Sequence, residues 1–250
     1  MRAYFTLSCL MLSVLMAPAT PDDPKIGPKT GTIEAFEAYV AKAKDDFLAA
    51  DHSGATPPRP GAIVKLPGGL VHHWTGAVVI PGVALDEVLS VAQDYDHYAA
   101  IHTPVLESQL LERQGNTFRI RMRMKSDAGI LSAVLDTWSV VTYLPAPDGM
   151  RALSETRKIR QLDSEDQPAA PPPAGFSDSK NFWAANTFTS FEVAPEGVRV
   201  EIETLGLSRR FPRLLGWLIE PIARRLGRSS AERTLEEFRT AVVRMHATDK

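Results

Sequence analysis

Three side chains in the sequence are placed to do acid–base or anion-binding chemistry inside a folded domain: His73 in LVHHWTGAVVI, Asp136 in SAVLDTWSVV and Arg157 in LSETRKIR. A histidine there would serve as general acid or base, a carboxylate as base or partner, and a guanidinium as donor to an oxyanion or a ligand headgroup. The same residues have a plainer reading. A strand histidine satisfies a local hydrogen bond, and half-buried Asp and Arg form a structural ion pair. Spacing argues against a metal. His72 and His73 are adjacent on an expected strand and point to opposite faces, while His97 and His102, five apart, share neither a helical nor a strand face. The one cysteine, Cys9, lies in the amino-terminal leader, which removes thiol nucleophiles and Cys-based zinc sites from a processed chain. No G-x-S-x-G, phosphate loop or dinucleotide fingerprint occurs. Neither metal nor cofactor is expected.

Large apolar side chains offer a different chemistry. Trp74, Met122, Met124, Trp138, Phe191 and Trp217 are the candidates for lining a pocket, because aromatic and Met side chains supply broad, adaptable contact area. Core packing accounts for any one of them equally well.

The elements that must position these residues follow from periodicity. Ala231, Leu235, Phe238 and Val242 recur at steps of four, three and four within a long helical segment from Phe211 to about Val243. Pro221 starts or kinks a stretch of it, and Ser229 with Glu232 makes a capping-box pattern opening its terminal part. Upstream, Leu70 to Ile80 reads as a strand closed by Pro81-Gly82, and Leu85, Val88, Leu89 and Ala92 as a short amphipathic helix, followed by a helical turn over 94–104. A strand meander is expected over 105–113, 117–126, 130–144, 150–162, 182–194 and 198–208. Gly115-Asn116, Pro147-Asp148-Gly149 and Pro195-Glu196-Gly197 sit at three of its joints. In FRIRMRMK, Phe118, Ile120, Met122 and Met124 face core or cavity while Arg119, Arg121, Arg123 and Lys125 form a solvated charged face. The Pro-rich stretch 164–181 reads as a mobile loop.

At the amino terminus, MRAYFTLSCLMLSVLMAPA carries one Arg, an apolar run too short to span a bilayer comfortably, and an A-x-A arrangement, the three parts of a secretory signal over 1–19. The protein is therefore expected to be exported, periplasmic or extracellular. Removing Arg2 with the leader takes the formal charge from −2 to −3, which argues against nucleic acid as a partner. Residues 20–68 read as a flexible lead, an amphipathic helix from Thr32, its N-cap, to about Ala50, and a linker from Ala55 to Gly69 with four prolines.

Strand, two short helices, six-strand meander and closing helix is the order of the START-like, or SRPBCC, helix-grip superfamily. The segment IPGVALDEVLSVAQDYDHYAAIHTPVLESQLL resembles that superfamily's stretch after the first strand. FTSFEV, VEIETLGLSRRFP and the terminal helix resemble its polyketide cyclase and coenzyme Q-binding branch. The resemblance covers 69–245 and implies an α+β helix-grip fold, a curved antiparallel sheet wrapped around a long C-terminal helix, here with an additional N-terminal helix. It also implies a deep apolar cavity holding a lipid, quinone, sterol or polyketide-like molecule. With no catalytic constellation, the expected function is a non-catalytic binder or carrier. The alternatives are a cofactor-free cyclase or dehydratase using His73, Asp136 or Arg157, and a filled-core protein-interaction module. FPRLLGWLIEPI, with Trp217 at its centre, is expected to be a gate to the cavity or a lip in transient contact with a membrane.

Overall fold

Alternating apolar and polar residues build much of this chain into strands. A computed structural model describes residues 27–52, 61–127, 132–210 and 216–248, and their side chains except those of 126, 127, 132 and 216–229. Among them are strands β1 (Ala62–Leu66), β2 (Gly69–Pro81), β3 (Val105–Gln114), β4 (Thr117–Asp127), β5 (Ser132–Ala146), β6 (Gly149–Leu162), β7 (Phe182–Ala194) and β8 (Gly197–Arg209). Helices are α1 (Thr30–Ala49), α2 (Leu85–Gln93), α3 (Tyr98–Ile101) and α4 (Gly216–Thr248), with a 3-10 turn over Tyr95–His97. All strands pair antiparallel in one curved sheet of order β1-β2-β8-β7-β6-β5-β4-β3. The meander from β3 to β8 is joined to β2 by pairing of the first and last long strands, with Gly69 opposite Arg209 and Pro81 opposite Gly197.

The tight joints depend on glycine. Gly115 adopts φ 56 between β3 and β4, and Gly197 adopts φ 152 where a Cβ would lie 2.1 Å from the Ile80 carbonyl oxygen.

Each face of the sheet is covered by one long helix, α4 on the concave side with α2 beside it. On the concave face α4 buries Ala231, Leu235, Phe238, Ala241 and Val242 in a core that also takes Val88, Leu89 and Ala92 of α2. Close approach is possible because Gly76 of β2 has no side chain: a Cβ there would meet Leu235 Cδ1 at 2.9 Å and Ala231 Cβ at 3.6 Å. On the convex face α1 lays Phe36, Val40, Ala43 and Phe47 over Val71, Phe188, Leu205 and Leu207 in a second core.

Four local expectations change. The linker 55–69 contains β1, whose Ile63, Val64 and Leu66 extend the sheet by pairing with β2 despite flanking prolines. Thr32 is not an N-cap: α1 begins at Thr30, and the Thr32 hydroxyl instead donates to the Pro67 carbonyl at 2.6 Å. No helix boundary occurs at Ser229, because α4 is continuous from Gly216 through Pro221, and packing of the apolar stripe outweighs the local cap signal. The stretch 164–181 is tied to β6 near its end: Ser177 and Ser179 are buried, the Ser177 hydroxyl donates to the Ile159 carbonyl at 3.1 Å, and Arg160 pairs with Asp178 at 3.0 Å.

Candidate functional site

The concave face of the sheet and the inner side of α4 do not meet everywhere, and between them lies a cavity of about 200 Å³. That is room for roughly ten or more water-sized volumes, since one water needs about 10–15 Å³. Strand alternation decides what faces it. Ile120, Met122 and Met124 of β4, Val141 and Tyr143 of β5, and Phe191 of β7 present one apolar wall, and Leu235 and Phe238 of α4 another.

The same alternation brings a set of hydroxyls inward. Thr137, Ser139, Ser154, Thr156, Thr187 and Thr189 line the cavity from three neighbouring strands. Several are already engaged: Ser139 with Thr156 at 2.5 Å, Thr137 donating to the Met122 carbonyl at 3.1 Å, and Thr187 with Thr204 at 3.5 Å. A hydroxyl that has spent its hydrogen still accepts one from a ligand. No Asp, Glu, Lys or Arg is among the described residues lining the cavity.

Three tyrosines close the end beneath α2. The Ala92 carbonyl, in the last turn of α2 where helical acceptors have no helical donor, accepts from Tyr143 at 2.9 Å and from Tyr98 at 2.6 Å. Tyr143 having donated there, Tyr95 donates to the Tyr143 oxygen at 2.9 Å. Burial pushes the Tyr143 phenol up to about 12 against the opposing bond from Tyr95, and raises Tyr95 and Tyr98 well above the ordinary phenol value. All three are neutral at any physiological pH. Beside them His102 also borders the cavity, with Nδ1 3.5 Å from Oε2 of Glu237 on α4.

Met122, Met124 and Phe191 thus face the cavity. Trp74 does not line it, but is buried in a cluster with Met124 and Ala185, which do. Trp138 is half-buried on the other face of β5, since its neighbours Thr137 and Ser139 point inward. The side chain of Trp217 and residues 211–215 lie outside the described residues, and with them most of the expected gate.

None of the three proposed acid–base side chains faces the cavity. His73 is on the convex face under α1, with Nε2 2.7 Å from Glu203 and Nδ1 2.9 Å from the Tyr39 hydroxyl. Arg157 is there too, donating to Asn186 Oδ1 at 2.8 Å with its guanidinium 5.6 Å from the centre of the Phe36 ring. Asp136 is fully buried and accepts from Arg121 at 2.8 Å and from Arg123 at 3.0 Å. The register explains this arrangement. Glu107, Arg123, Asp136 and Arg160 are direct cross-strand neighbours on β3 to β6, an alternating row of charges on the convex face. The face expected to be solvated therefore buries Arg121 and Arg123, each paired with both Asp136 and Glu107.

Sequence reasoning does not single out the hydroxyls, the tyrosines or His102. The inward hydroxyls share the parity of Tyr143 on β5, Ala152 on β6 and Phe191 on β7, and that parity is the available signal.

No protein-family model and no curated protein matches the sequence. Solved structures do. TTHA0849 from Thermus thermophilus is 15% identical over 69% of this chain and 98% of its own, with a TM-score of 0.50. A STAR-related lipid transfer protein from Xanthomonas axonopodis is 18% identical over 74% of this chain and 99% of its own, also with a TM-score of 0.50. The Zhui aromatase/cyclase from Streptomyces sp. R1128 is 15% identical over 70% and 94%, with a TM-score of 0.46. With its curved antiparallel sheet gripping a long C-terminal helix, the chain has the START-like, SRPBCC helix-grip fold.

Proposed function

We propose that this protein binds and carries an uncharged, mainly apolar small molecule of the lipid, quinone or polyketide-like kind. The observation that carries the reading is the cavity between the sheet and α4, lined by apolar side chains and hydroxyls with no charged group among its described residues. An ionised ligand group in such a site would cost several kcal/mol of desolvation with no counter-charge. A carbonyl or hydroxyl costs about 1–3 kcal/mol only if left unpaired, and the Ser and Thr hydroxyls offset that. The lipid transfer protein from Xanthomonas axonopodis has the same fold. The cyclase reading is weaker because His73, Asp136 and Arg157 are on the far face of the sheet.

Filling the cavity tests the proposal. Ala185 and Thr187 both line it from β7, so A185F/T187F replaces the space with two rings. Uptake of an apolar fluorescent probe is expected to fall at least about tenfold, roughly 1.4 kcal/mol, with a cooperative unfolding transition retained. Mass spectrometry of organic extracts should show a small molecule from wild type that the double variant lacks. Equal uptake by both proteins would rule the cavity out as the binding site.

We propose further that the carrier acts outside the cytoplasm. The reading rests on the leader sequence 1–19, which lies outside the described residues. Amino-terminal sequencing of the exported protein is expected to start near Thr20, and recovery of intact Met1 only on cytoplasmic protein would overturn export.

A further inference from the structure

Among the described residues lining the cavity, His102 is the one imidazole. Its backbone is pinned on both sides, the N–H donating to Tyr98 O at 2.8 Å and the carbonyl accepting from Val105 at 2.9 Å. Its ring stands edge-on to Tyr98, with centroids 5.2 Å apart and planes at 73°. Nδ1 faces Glu237 Oε2 at 3.5 Å as an ion-pair contact and makes no hydrogen bond among the described residues. Glu237 is held in turn by Thr103, whose hydroxyl donates to Oε1 at 2.6 Å and whose N–H approaches Oε2 at 3.4 Å. Burial alone would raise the Glu237 pKa, but the His102 and Thr103 contacts outweigh it and keep the carboxyl below its usual value, hence ionised at neutral pH.

A carboxylate beside Nδ1 favours the tautomer that carries its proton there and leaves a lone pair on Nε2. The neighbouring hydroxyls are weaker acceptors, and those of Tyr98 and Tyr143 have their hydrogens committed to Ala92. We propose that His102, oriented by Glu237, is a hydrogen-bond acceptor in the cavity wall that selects ligands bearing an acidic hydroxyl hydrogen, such as a phenol or an enol. This rests on the binder reading and names the chemical class of its ligand. His102 touches the ligand, and Glu237 is a positioning residue.

The experiment compares 2-naphthol with 2-methoxynaphthalene by fluorescence titration at neutral pH, the two probes differing in the hydroxyl hydrogen. Wild type is expected to bind 2-naphthol at least about tenfold more tightly. His102→Phe should abolish that preference, and Glu237→Gln, which leaves the ring in place, should cut it at least about threefold. Equal binding of both probes by wild type overturns the inference and leaves the carrier reading intact. A preference unchanged in either variant overturns it too, and E237Q decides the matter should H102F fail to fold. Binding of neither probe by wild type would count against the cavity as a binding site and would remove this inference with it.

Discussion

Asp136→Leu is expected to lower the unfolding free energy by about 3–5 kcal/mol, the cost of breaking a buried ion pair from one side. Asp136 is fully buried, and Arg121 and Arg123, both within 3.0 Å of it, are 9% and 3% exposed. Without the carboxylate two guanidinium groups stay inside with only Glu107 and the Glu165 carbonyl to satisfy them. Urea unfolding of D136L measures the loss. The triple variant R121M/D136L/R123M should recover most of it, because apolar residues of similar volume replace such networks at little cost. Uptake by the folded fraction of D136L should be unchanged, since the network faces away from the cavity. A loss below about 1 kcal/mol, the range of exposed pairs, would mean that the row is solvated in solution.

The second large effect is on acid stability. Burial lowers the His72 pKa to about 3, with Nε2 2.7 Å from the Ser208 hydroxyl. The folded chain keeps this ring neutral, whereas the unfolded chain protonates it as pH falls through the ordinary value of 6.5. The unfolded state then binds the extra proton, so His72's contribution is fully present above that pH and is lost below it at about 1.4 kcal/mol per unit, until the folded pKa near 3 is reached. Between pH 7 and pH 5 the His72 share is about 2 kcal/mol. His52 acts with the opposite sign: burial would lower its pKa, but contacts with Glu201 and the Phe47 carbonyl raise it, and its contribution grows toward acid. The quantity to measure is therefore the difference between wild type and His72→Gln by urea unfolding at both pH values. Wild type should lose about 2 kcal/mol more than the variant over that interval. Parallel losses would show that the His72 ring is hydrated in the folded protein.

Period-2 alternation and turn residues are enough to read β2 to β8 within two residues at each boundary, and the i, i+3, i+4 spacing of Ala231, Leu235 and Phe238 identifies the inner stripe of α4. β1 escapes because five residues between prolines carry too short a pattern, and its pairing with β2 is a tertiary fact. The parity of β4 puts Met122 and Met124 on the face that lines the cavity. The parity of SAVLDTWSVV shows two faces without showing which is inward, so Asp136 and Trp138 stand as cavity candidates although Thr137 and Ser139 face it. His73 misleads for a related reason: alternation separates it from His72, but only the seat of α1 reveals that its side of β2 is covered by Tyr39. The pairing of His102 with Glu237 joins residues far apart in sequence and leaves no local trace.

The bond between β2 and β8 also sets a timetable. Trp74 lies opposite Thr204, so the strand that emerges first among the long ones must wait for the last before its inner edge is covered. At about 5–20 residues per second, the 128 residues between Pro81 and Arg209 take roughly 6 to 26 s to synthesise. Hairpins from β3 to β7 can zip within microseconds of appearing, but β2 stays without its long partner for that whole interval. The sheet is closed by its two ends, and neither face can be finished from one end alone, because α1 and α4 both pack on residues of β2. Completion of the fold therefore waits for β8 and α4 to be made, and the pairing of such distant strands makes for a slow final step.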